Sequence, residues 1–128
     1  ALELLRSLYD DRGISMVFIG MPGLEKRLSR YSQLYSRIGF SHEYKPLSKE
    51  EMLFTLEHNW RKLGLKLKQG EFSDHEAMAS IMRITNGNFR LLNRLFMQID
   101  RLLKLNQLQY ITNEVVLAAR ECLLIGNT

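Results

Sequence analysis

A chain of 128 residues, 45% hydrophobic and 25% charged, has the composition of a folded globular protein and the length for one core or two small ones. Its single cysteine, Cys122, excludes an intramolecular disulfide and points to a reducing, cytoplasmic compartment; no apolar run approaches the roughly 20 residues of a membrane span, and His42, His58 and His75 stand too far apart to form a metal-ligand motif. The net charge of +4 suits a polyanionic partner without requiring one.

The chain enters directly in a helical pattern, Leu2, Leu4, Leu5, Leu8 and Tyr9, which Asp10 to Gly13 terminates. Ile14 to Gly20 follows as I-S-M-V-F-I-G, a continuous apolar run rich in β-branched residues that predicts a strand buried on both faces, as in a parallel sheet. After Met21, Pro22 and Gly23 a helix resumes from Leu24 to Arg30, and a second short one runs from Gln33 to Ile38 up to Gly39. Phe40, His42 and Tyr44 alternate with Ser41, Glu43 and Lys45, the period of a strand closed by Pro46.

Beyond Pro46 every start signal is helical. S-K-E-E at Ser48 to Glu51 is a capping box, and Met52, Leu53, Leu56, Trp60 and Leu63 follow at helical spacing until Gly64. S-D-H-E at Ser73 to Glu76 predicts a second box and a helix closed by Gly87. Asn88 then starts the longest and most apolar helix, with Leu91, Leu92, Leu95, Phe96, Ile99, Leu102 and Leu103. The last helix starts at Thr112, where Ile111 can staple onto Val116. Four amphipathic helices with short connections predict a bundle.

The chain therefore divides into an α/β piece, 1–46, and an all-helical piece, 47–128. Two strands alone leave a sheet with open edges and bare faces, so the rest of that sheet is expected upstream of Ala1. None of the eight glycines opens a G-x-x-x-x-G-K-[ST] phosphate loop, no strand ends in paired acidic residues that could hold Mg²⁺, and G-x-S-x-G is absent. Several pieces nevertheless fit the edge of a nucleotide site. Gly20 to Gly23 would lie beyond the carboxyl end of a strand, where open α/β sheets bind ligands. Arg27, Arg30 and Arg37 follow on a helical connection. Arg90 occupies a helix's first turn, the wrong charge for the positive end of a helix dipole, but well placed to meet an anion drawn to the free amides there.

In order, M-V-F-I-G-M-P-G-L, L-E-K-R-L-S-R-Y-S-Q-L-Y-S-R-I, Y-K-P-L-S-K-E-E, F-S-D-H-E-A and T-N-G-N-F-R-L-L-N-R-L resemble the second half of an AAA+ ATPase. More narrowly they are similar to the bacterial transposition-helper ATPases of the TniB type and the related ExeA-type secretion ATPases, over roughly Ala1 to Leu124. The resemblance implies a mainly α chain: the end of an AAA+ core, with about two strands and flanking helices, followed by a four-helix lid. It makes Arg90 the sensor-2 arginine that reaches from the lid to the outer phosphates of ATP. Arg37 becomes the arginine finger given to a neighbouring subunit, with Arg30 as runner-up; such a finger is worth about a thousandfold or more in phosphoryl transfer. Met21 takes the sensor-1 position, where a methionine cannot hydrogen-bond strongly to a lytic water, which suits a slow, switch-like ATPase.

Further implications are ATP and Mg²⁺ in the full-length protein with neither tightly bound by this chain alone, ATP-promoted self-association on DNA, and recruitment or regulation of a transposase, without a membrane. Lacking the phosphate loop and the paired carboxylates, this chain should not hydrolyse ATP by itself. A different class of function is a stand-alone helix-turn-helix-like DNA-binding module, in which Arg90, Asn93, Arg94 and Arg101 contact groove or phosphates. The basic run Arg61, Lys62, Lys66 and Lys68 offers a nucleic-acid patch or, more simply, a solvated helix end.

Overall fold

A computed structural model of the protein describes residues 1–68 and 70–125, with the side chains of 124 and 125 left aside. Seven helices occur among the described residues: α1 (Leu2–Arg12), α2 (Leu24–Leu28), α3 (Ser32–Tyr35), α4 (Lys49–Lys62), α5 (Phe72–Thr85), α6 (Phe89–Leu105) and α7 (Asn113–Ile125). The chain is mainly α. It separates into two compact units, Ala1–Tyr44 and Lys45–Thr128.

The second unit is a bundle of α4 to α7 around one apolar cluster. Leu56 and Trp60 of α4, Ala77 and Ile81 of α5, Leu92, Leu95 and Ile99 of α6, and Val116 and Ala119 of α7 are almost wholly removed from solvent. Trp60 meets Phe96 edge to face, with ring centroids 5.7 Å apart, the geometry that the ring quadrupoles favour. Ser48 begins α4 with the complete capping box: its hydroxyl accepts from the Glu51 amide at 3.2 Å, and the Glu51 carboxylate accepts from the Ser48 amide at 2.8 Å. The Asn88 side chain accepts from the Leu91 amide at 3.0 Å to start α6. Thr112 starts α7, and Ile111 and Val116 share the buried cluster as a staple requires.

α5 departs from its expected start. It opens at Phe72 with Glu71 as N-cap and no side-chain cap, so the Ser73 box is not used. Asp74 is instead buried in the first turn, and its carboxylate accepts from the Lys68 amide at 2.9 Å, tying the preceding loop to the helix. With Glu71 as N-cap, Ser73 already lies inside the first turn and cannot cap the helix. At the other end the turn takes two left-handed residues, Asn86 (φ 43°) and Gly87 (φ 79°), and the Asn88 amide donates to the Thr85 carbonyl at 2.8 Å. Positive φ at both central residues is the type I′ pattern that Asn-Gly favours. Gly87 is also pressed against the approach to α4. Its carbonyl accepts from the Leu47 amide at 2.8 Å, and a Cβ on it would stand 2.7 Å from the Leu47 carbonyl oxygen.

The first unit has little core: among its described residues only Leu28 and Leu34 are buried. α1 continues through Asp10 and Asp11 to Arg12 and is capped by left-handed Gly13, while α2 and α3 are shorter than their apolar patterns predicted. Neither expected strand forms. Ile14 to Gly20 and Phe40 to Lys45 carry no regular secondary structure and make no backbone hydrogen bonds among the described residues. Val17 and Ile19 are 86% and 94% exposed, and Phe40 and Tyr44 are 80% and 91% exposed. The physical reason is that a strand is defined by its ladder. An all-apolar run suited to a sheet interior has here neither a neighbouring strand nor a layer to cover it. The period-2 side of the second segment survives as a row of rings: Phe40 stacks near-parallel on His42 at 6.2 Å, and His42 meets Tyr44 edge-on at 4.6 Å.

Candidate functional site

In the bundle, the candidate site is the mouth of α6. Gly87 fixes the turn, Asn88 caps the helix, and Leu92, Leu95 and Phe96 bury the inner side, so Arg90 is carried outward in the first turn. Its side chain is exposed and makes no hydrogen bond or ion pair among the described residues. The amides of Phe89 and Arg90 belong to the four that an α-helix leaves without intrahelical acceptors. A guanidinium and those amides at one helix start can together take an anion such as a phosphate.

The outer face of α6 also carries Asn93, Arg94, Met97, Arg101 and Lys104, all exposed; Lys104 pairs with Asp100 at 2.6 Å. A cleft of about 330 Å³, lined by Leu63, Leu65, Leu103, Lys104 and Leu108, lies at the far end of this helix, roughly 20 Å from Arg90 at 1.5 Å per residue. The site at Arg90 is an open surface contact. Arg61 and Lys62 end α4, where cations oppose the negative end of the helix dipole, and Lys68 pairs with Glu71 at 2.9 Å.

In the first unit, Met21 is exposed at the start of the turn into α2, and Arg30 is exposed beyond the end of α2. Arg37 is different. Its Nε donates to the Asp10 carboxylate of α1 at 2.6 Å, and its Nη1 donates to the Gln33 carbonyl at 2.6 Å. The hydrogen bond from Arg37 holds the Asp10 carboxyl below its ordinary value. Next to it, Glu25 of α2 accepts from the Tyr35 hydroxyl at 3.0 Å and from the Ser41 hydroxyl at 3.2 Å, which pushes the Tyr35 phenol up. Of the expected residues, Arg37 is thus organised by neighbours, whereas Arg30, Met21 and Arg90 are not. Sequence reasoning did not single out Asp10 and Glu25. The available signal at Asp10 was electrostatic: a carboxylate in the last turn of α1 opposes the helix dipole, so another partner has to compensate it.

Among the described residues no group of three or more His, Cys, Asp or Glu could hold a metal ion, and no helix is long and apolar enough to cross a membrane.

A protein of Staphylococcus aureus named as a potential ATP-binding protein is similar to this chain, 56% identical over 125 residues that cover 98% of the chain and 46% of the relative. The chain thus spans less than half of that relative's length. No family model matches. No solved structure matches either.

Proposed function

We propose that this chain is the sensor and lid portion of an ATP-binding protein of the AAA+ type. The observation that carries this reading is the unpartnered Arg90 at the start of α6, in a chain whose S. aureus relative is named for ATP. Arg90 donates to the outer phosphates of ATP held by a phosphate loop elsewhere in the longer protein, and the anion offsets the unfavourable charge at the helix start. Two exposed segments support the same reading: Ile14 to Gly20 has the composition of a sheet-interior strand, and Phe40 to Tyr44 has the alternation of a strand with one covered face.

In the longer protein ATP hydrolysis is slow and switch-like, since Met21 offers no strong hydrogen bond to a lytic water. Mg²⁺ would be held by the phosphates and by carboxylates outside this chain. By family resemblance the ATP-bound protein self-associates on DNA and regulates a transposase. The test is Arg90→Ala in the longer protein, read by calorimetric titration with a non-hydrolysable ATP analogue. Weaker binding and lost ATP-dependent self-association are expected; unchanged affinity and assembly would contradict the assignment.

The exposed cationic face of α6 favours one second reading, a helix-turn-helix-like module that grips duplex DNA through Arg90, Asn93, Arg94 and Arg101. Duplex binding by the 128-residue chain that weakens steeply with salt would favour it. Absence of binding at low salt would leave the ATP reading in place.

A further inference from the structure

Arginine side chains are long and flexible, so an arginine that must act on a neighbouring subunit gains from being held before the encounter. Arg37 is held. A guanidinium has five N–H donors. Nε is committed to Asp10 Oδ1 at 2.6 Å, and Nη1 serves the Gln33 carbonyl at 2.6 Å with a longer contact to the Ser36 hydroxyl at 3.4 Å. Nη2 has no hydrogen-bond partner among the described residues, and the side chain keeps 34% of its exposure. The grip is therefore one-sided, and two donors remain for a ligand.

Asp10 is itself fixed. Arg6 Nη1 donates to its other oxygen at 3.2 Å while Arg6 Nε donates to Glu3 at 2.9 Å. The contact also spans 27 residues of sequence, so it joins α1 to the segment that follows α3 and is no accident of adjacency along one helix. We propose that Asp10 is a positioning residue for Arg37, holding the guanidinium so that Nη2 is left to donate to the phosphoryl group being transferred in a neighbouring subunit. This rests on the ATPase reading above and on Arg37 as its arginine finger.

In that reaction the oxygen of water forms a bond to the γ-phosphorus as the bond from γ-phosphorus to the bridging oxygen breaks. The electron pair leaves with ADP, and the proton from water passes to the released phosphate or to solvent. Arg37 forms no bond in this step; it meets the charge that builds on the phosphoryl and leaving oxygens. Asp10 touches no reacting atom. An exposed ion pair in water is too weak to lock an arginine away from a polyanionic partner, so the same contact restricts its wandering without withholding it.

The experiment compares D10A, D10N and R37A in the polypeptide that carries this chain together with its ATP-binding half, by steady-state ATPase kinetics, with circular dichroism as the folding control. D10A should lower kcat about tenfold or more, as misplacing a catalytic group does, while the KM for ATP stays unchanged, because nucleotide is bound by the other subunit. D10N keeps an acceptor oxygen for Nε, so it should recover part of the loss and still reports if D10A fails to fold. R37A should lose more than either, and adding D10A to it should cost nothing further. A D10A or D10N rate equal to or above the unaltered rate, with R37A collapsed, would overturn the positioning role alone. R37A at full rate would instead remove the finger assignment and the need for a positioning residue with it.

Discussion

The two units of this protein are held together by different physics. In Lys45–Thr128 four helices close over a cluster in which Leu56, Ile81, Leu95, Ile99 and Val116 have essentially no exposure. In Ala1–Tyr44 two buried leucines do the apolar work. Much of the rest there is polar and partly exposed, including Asp10 to Arg37, Glu25 to Tyr35 and Ser41, and Arg6 to Glu3 and Asp10. Exposed pairs of this kind contribute little stability individually, whereas each large buried aliphatic side chain contributes roughly 1.5–3 kcal/mol. The bundle is a self-sufficient core, and the first unit displays on its surface the side chains from which a core is normally made. The proposed reading expects this contrast, because it places the sheet partners of Ile14 to Gly20 elsewhere in the longer protein.

The contrast can be broken most forcefully inside the bundle. Leu95→Ala should destabilise it by about 2–5 kcal/mol through lost burial and the cavity left behind, seen as a large drop in the denaturation midpoint followed by Trp60 fluorescence. If L95A leaves that midpoint in place, the single-core description of the second unit fails. Gly87→Ala should cost about 1–3 kcal/mol, because its left-handed backbone resists a side chain and the new Cβ would stand 2.7 Å from the Leu47 carbonyl oxygen. Ser48→Ala removes half of the capping box and should cost about 0.5–2 kcal/mol. Both substitutions should leave the first unit's ion pairs intact, as judged by the Arg37 Nε–H resonance.

Smallest is the expected effect of Glu25→Ala, which frees Tyr35 and Ser41 and should leave the bundle's unfolding unchanged within error. Acid supplies the same comparison without a mutation. The Asp10 carboxyl is depressed by its hydrogen bond from Arg37, so the folded state gains from this contact above the usual carboxylate range and loses it as pH falls through the lowered value. The protected Arg37 Nε–H signal should therefore persist through the usual carboxylate range and vanish only below it. Its loss near neutral pH would show that the contact does not form in solution.

The bundle was readable because its signals are local and mutually consistent. Ser48, Asn88 and Thr112 each mark a helix start that the side-chain hydrogen bonds bear out, and the apolar residues of α6 recur at a helical period that buries one face. The Ser73 box misled because α5 opens earlier, at Phe72, which leaves Ser73 inside the first turn where it caps nothing. The strands of the first unit could not be settled from composition, since Val17 and Ile19 report what kind of neighbour they need, and the neighbour decides whether a ladder forms. At the candidate site Arg90 was legible by its misfit with the helix dipole, and Arg30 and Arg37 by their place after the short helices. The partner of Arg37 was not, because Asp10 reaches it across 27 residues. One rule would have helped there: a carboxylate that opposes its own helix dipole, as Asp10 does, calls for a compensating cation elsewhere in the fold.

Hydrogen exchange read by mass spectrometry, on this chain alone and on the longer polypeptide with a non-hydrolysable ATP analogue, tests the proposed reading most directly. It predicts that in the chain alone the amides of α6 and α7 are protected while those of Ile14 to Gly20 and Phe40 to Tyr44 exchange freely. In the longer polypeptide both runs should become protected, and the analogue should slow exchange at Phe89 and Arg90. Strong protection of Ile14 to Gly20 in the isolated chain, or an unchanged rate there in the longer polypeptide, would contradict it.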